Sequence, residues 1–98
     1  MKVVFLDDSR TPPEGWDHVL WPDEAIVLLR TGAVTDLSLD HDLGDDLRGT
    51  GYDVLLWIEE AVALADFKPP RITIHSANPA ARLRMDAALR SINARRKP

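Results

Sequence analysis

The stretch SLDHDLGDD, residues 38–46, sets four aspartates and a histidine within nine positions, directly behind a short apolar run. Carboxylates brought that close repel, and at least one must hold a proton unless a cation intervenes. Two other groupings have the same character. LDDSR puts Asp7 and Asp8 side by side with Arg10 two residues on, and HSANP puts His75, Ser76 and Asn78 ahead of a proline. Asp7, Asp8, Asp40 and Asp42 offer oxygen alone, which suits magnesium or manganese completed by water better than calcium, whose sites call for more oxygens. Asp45 and Asp46 read as solvated loop acids. His41 and His75 read either as acid–base groups or as ordinary strand-end imidazoles. Without cysteine or a helical His-x-x-x-His pair, they do not form a zinc pattern. Ser76 and Asn78 precede a helix start, where backbone N–H groups and the helix dipole favour a phosphate. Arg10 either forks onto that phosphate or neutralises Asp7 or Asp8. Gly49-Thr50-Gly51 lacks the Gly-Lys-Ser/Thr ending of a P-loop, and no Gly-x-Ser-x-Gly elbow surrounds Ser76.

The elements that must position these groups follow from hydrophobic period. KVVFL (2–6) is a short β-branched and aromatic run, expected of a buried strand, and it ends on Asp7. HVLW (18–21) reads as a second strand, and Pro22-Asp23-Glu24 as a helix start with acids in the first turn. That helix stops at Gly32. DLSLD (36–40) alternates with period two. Residues 52–65 carry apolar side chains at helical spacing, and Phe67-Lys68-Pro69-Pro70 ends them. RITIH (71–75) alternates again, placing Thr73 and His75 on one face. Asn78-Pro79 caps a last helix carrying Met85, Ala88, Leu89 and Ile92. The order β–β–α–β–α–β–α implies parallel pairing in a small α/β sheet. The strand C-terminal ends then gather on one edge, bringing Asp7, Asp8, Asp40, His41, Asp42, His75, Ser76 and Asn78 to the position where open α/β sheets bind ligands.

Composition bounds the rest. The 98 residues, 45% of them apolar, suffice for one core, so residues 1–98 are read as a single domain. No run is long enough for a membrane span and the start turns acidic too early for a secretory signal, which reads as cytoplasmic. The net charge of −4 is segregated. Arg82, Arg84, Arg90, Arg95, Arg96 and Lys97 load the last segment, as a solvated face or as a nucleic-acid contact.

Paired acids after the first strand, an aspartate ending the third and a hydroxyl (Ser76) ending the fourth resemble a receiver domain of two-component signalling. The match departs from that pattern. There is no room for the first helix between Asp8 and His18, and the fifth strand with its lysine is absent. With these departures, "LDDSR", "SLDHDLGDD", "GTGYDVL" and "HSANP" resemble the compact cyclic-phosphate-processing receiver domains. The resemblance implies a flavodoxin- or receiver-like α/β fold derived from the three-layer form, with about four mainly parallel strands and without the first and last receiver helices. It also implies action on a cyclic phosphate of a nucleotide or RNA end. The sheet face those helices would cover must then be closed by the loop holding Pro12, Pro13 and Trp16, or by a second copy in a homodimer.

The expected activity is that of a metal-assisted phosphoesterase. Asp7, Asp8, Asp40 and Asp42 hold magnesium or manganese, His41 or His75 relays a proton, and Arg10, Ser76 and Asn78 hold the phosphate. Two other expectations stand beside it: a receiver switch phosphorylated on Asp40, and a module that binds cyclic nucleotide or RNA without chemistry.

Overall fold

The computed structural model describes residues 2–41 and 48–96. Its elements are β1 (Lys2–Leu6), β2 (Asp17–Val19), α1 (Pro22–Leu29), β3 (Val34–Leu39), α2 (Gly51–Ala65), β4 (Arg71–Ile74) and α3 (Pro79–Ala94). The strands form one sheet in the order β2-β1-β3-β4, and every pair is parallel. This is the small α/β sheet expected. Its second strand starts earlier than HVLW suggests and ends at Val19. Leu20 is exposed instead of paired, because Glu24 Oε1 accepts from the N–H groups of Leu20 and Trp21 at 3.1 and 3.0 Å and so draws them into the start of α1.

The register sorts the strand residues into two faces. Val4, Leu37 and Ile72 are in line across the sheet, as are Leu6, Leu39 and Ile74. These pack with Ala25 and Leu29 of α1, Val54, Leu55 and Ile58 of α2, and Met85, Ala88 and Ile92 of α3 in one apolar cluster. The helices therefore lie on this face. The opposite face carries Phe5, Ser38 and Thr73, again in line, with His18 beside Phe5. No helix of the described residues separates β1 from β2. Residues 7–16 alone make this parallel connection, which ordinarily needs a helical crossover. Part of that connection returns over the uncovered face: the Trp16 ring meets Phe5 edge-on at 6.4 Å, and Phe5 is only 8% exposed. Among the described residues no helix is long and apolar enough to cross a membrane.

Candidate functional site at the strand ends

Asp7, Asp40 and His75 each follow the last residue of a strand, and each continues the odd-even alternation onto the uncovered face. The chain continues the ladder just past the strands. Asp40 N–H donates to Leu6 O at 3.0 Å and His75 N–H to Leu39 O at 2.9 Å, which holds the three strand ends side by side. Carboxylate oxygens of Asp7, Asp8 and Asp40 all lie within 4.8 Å of one another. Asp7 is fully buried and Asp40 nearly so, whereas Asp8 is exposed.

Asp7 organises the loop that follows it. Its Oδ1 accepts from the N–H groups of Ser9 and Arg10, both at 2.9 Å, in an Asx-type turn. Its Oδ2 accepts from His75 Nε2 at 3.0 Å and, more weakly, from the Arg10 guanidinium at 3.5 Å. Burial alone would push this carboxyl up, but the two backbone N–H groups and His75 outweigh burial and hold it below the ordinary range. Asp40 goes the other way. Burial raises its carboxyl, the His41 N–H at 2.8 Å pulls against this, and the neighbouring charge of Asp7 adds to the rise. Two adjacent acids are thus driven apart in affinity for a proton, as the repulsion argument requires.

Gly51 sets where Asp40 stands. Its N–H donates to His41 O at 3.2 Å, and a methyl group on its Cα would run into the Asp40 carbonyl oxygen and the Met85 side chain. The first turn of α2 can approach the end of β3 only because this residue has no Cβ.

The remaining residues singled out from sequence divide by their engagement. The Arg10 guanidinium donates to His75 O at 2.9 Å as well as reaching Asp7. It is half exposed, and one Nη atom makes both contacts. Ser76 Oγ accepts from Asn78 N–H at 3.1 Å, and Asn78 Oδ1 accepts from Ala81 N–H at 3.1 Å, so both cap α3. With Pro79 lacking an N–H, little of that helix terminus is left for an anion beyond Ala80. His41 adjoins Asp40 and its backbone joins β3 to α2. Asp42, Asp45, Asp46 and Lys97 lie outside the described residues.

Three contributors were not apparent from sequence. Ser38 Oγ lies 2.7 Å from His75 Nδ1. Phe5 stacks on the His75 ring with centroids 4.5 Å apart and planes within 5°. His18 Nε2 donates to Asp7 O at 2.6 Å. Shared parity across β1, β3 and β4 was the available signal, since Phe5, Ser38, Thr73 and His75 fall on one face once the strands are parallel.

As a donor set, the acids fit a small hard cation. Among the described residues the Asp40 carboxylate accepts only the His41 N–H, at Oδ1, and Asp8 is open to solvent. Asp7 is the more engaged member, but its hydrogen bonds orient it as outer-shell donors commonly orient a ligand.

The model of the cyclic-phosphate processing receiver domain matches residues 2–91, and the chain belongs to that family. No curated protein and no solved structure gave a significant match.

Proposed function

We propose that the chain is a metal-assisted phosphoesterase that opens a cyclic phosphate on a nucleotide or RNA end. The observation carrying this reading is the convergence of Asp7, Asp8 and Asp40 within 4.8 Å at the ligand-binding edge of an open parallel sheet. The family's description, cyclic-phosphate processing, supports the substrate class.

These three carboxylates would hold magnesium or manganese, which supplies a charge for a phosphoryl oxygen and lowers the pKa of bound water. The chain's own residues do the rest. Water adds to phosphorus, the bond from phosphorus to the 2′- or 3′-oxygen breaks, and the water proton ends on that leaving oxygen. His41, beside Asp40, or His75 relays that proton, and the contacts of both His75 ring nitrogens, with Ser38 and Asp7, orient the imidazole toward the site. Arg10, anchored through one Nη, turns its other N–H groups to the phosphate oxygens.

The test is phosphorus NMR of 2′,3′-cyclic nucleotides, cyclic dinucleotides and cyclic-phosphate-ended RNA incubated with the protein and either metal. Ring-opened monoester or linear product is expected with wild type and none with Asp40→Asn. An untouched panel would remove the enzyme reading. A stable gain of one phosphoryl mass on Asp40 from acetyl phosphate would assign the chain to the signalling switches instead.

A further inference from the structure

Beneath the acid cluster a hydroxyl, an imidazole and a carboxylate form one chain drawn from three strands. Ser38 Oγ is 2.7 Å from His75 Nδ1, and His75 Nε2 is 3.0 Å from Asp7 Oδ2. Nothing in the proposed hydrolysis uses Ser38. It is nonetheless nearly buried, at 8% exposed, on the strand position opposite Phe5. The direction of each bond follows from Asp7. Its Oδ1 accepts from the N–H groups of Ser9 and Arg10 and its Oδ2 from the Arg10 guanidinium, groups that can only donate, so the carboxylate is the acceptor toward His75 as well. Nε2 must therefore carry a proton. In the neutral ring Nδ1 is then an acceptor, and the Ser38 hydroxyl, free to rotate, donates to it.

Phe5 completes the clamp. Its ring lies flat on the imidazole, and the edges of Trp16 and His18 close on Phe5 at 6.4 and 6.2 Å. The stack limits tilting of the His75 ring but leaves it free to turn within its plane, and the two hydrogen bonds stop that motion.

We propose that Ser38 is a positioning residue that fixes His75 as the Nε2–H tautomer and, through it, holds Asp7 in the orientation in which it faces Asp8 and Asp40. The consequence for cation binding rests on the metal-site reading above, whereas the tautomer does not. The chain of groups has the order of a Ser-His-Asp triad. It differs in use: Ser38 lies within β3 rather than at its end, under side chains, with little surface for a substrate to reach.

The experiment has two readouts on wild type, Ser38→Ala and Ser38→Thr. The first is the ring-nitrogen NMR spectrum of His75, assigned among the three histidines with a His75→Gln variant. The second is affinity for Mn2+ alone, followed by its paramagnetic resonance signal. Wild type should show one tautomer with Nε2 protonated. Ser38→Ala should show a mixture of tautomers and bind Mn2+ about 10- to 100-fold more weakly, as expected for lost outer-shell support, and Ser38→Thr should restore both. A wild-type ring protonated on Nδ1, or an alanine variant with wild-type spectrum and affinity, would overturn the inference. So would a tautomer change that leaves Mn2+ affinity unmoved, or labelling of Ser38 by a fluorophosphonate. If wild type binds no Mn2+, the metal-site reading fails by itself, and the His75 spectrum still decides the positioning role.

Discussion

On the helix-covered face of the sheet, Val4, Leu6, Leu37, Leu39 and Ile74 meet other apolar side chains from all three helices. On the opposite face Phe5 and Ser38 are buried to a similar degree, yet they meet an imidazole that in turn meets a carboxylate. Burial therefore serves two ends in the four-stranded sheet of the described residues. One face stabilises by removing apolar area from water. The other gives up that gain to hold His75 and Asp7 in fixed relation, and the acid cluster stands where both faces end.

Truncation should cost most on the covered face. Leu39→Ala should cost about 2–5 kcal/mol by urea denaturation, a large part of the roughly 5–15 kcal/mol typical of a domain, while leaving the His75 spectrum unchanged. A loss below about 1 kcal/mol would mean that this face is not the main source of stability. Gly51→Ala comes next, at about 1–3 kcal/mol, because the added methyl meets the backbone of Asp40 and not a side chain that can move aside. It should also weaken Mn2+ binding, since Asp40 must shift.

Asp40→Asn sharpens the contrast from the other side. The folded state raises this carboxyl above its ordinary value of 3.8, so ionising it costs stability. That cost is absent below about 3.8 and grows as pH rises through the raised folded value. The asparagine keeps the oxygen that accepts from His41 and should be more stable than wild type at pH 7 by about 1 kcal/mol, about 4–8 °C in Tm for a domain of this size. The gain should vanish in acid. Asp7 has the opposite sign: its contribution is present above 3.8 and is lost as pH falls through its lowered folded value. Asp7→Asn should therefore be less stable than wild type at pH 7, and the two variants should converge on wild type in acid. The smallest effect is expected of Trp16→Leu, about 0.5–1 kcal/mol, because a single edge-on contact with Phe5 is lost while apolar cover is kept.

Which of these features could be read from residue order depends on the range of the interaction behind them. Period-two alternation in DLSLD and RITIH and the proline-led starts of α1 and α3 are local, and they locate β3, β4 and both helices. The edge of β2 was misplaced because the hydrophobicity of Leu20 and Trp21 competes with capture of their N–H groups by Glu24, and the cap wins. The acids at the strand ends could be found because parallel topology alone gathers them. Ser38 and His75, 37 positions apart, meet only through the β3–β4 register, in which Ser38 is opposite Thr73. No spacing rule within either segment carries that information. The capping roles of Ser76 and Asn78 were half visible: Asn78-Pro79 marks a helix start, but the hydrogen bond from Asn78 N–H to Ser76 Oγ is a matter of loop geometry.

On the proposed function, Asp7, Asp8 and Asp40 form one divalent-cation site at the end of the sheet. Anomalous diffraction from crystals grown with Mn2+ tests it most directly. A manganese peak is expected within bonding distance of oxygens from all three carboxylates, with the Ser38–His75–Asp7 chain intact beneath it. Three carboxylates without a peak between them, or manganese held elsewhere with Asp7 still engaged only by its own loop and His75, would contradict it.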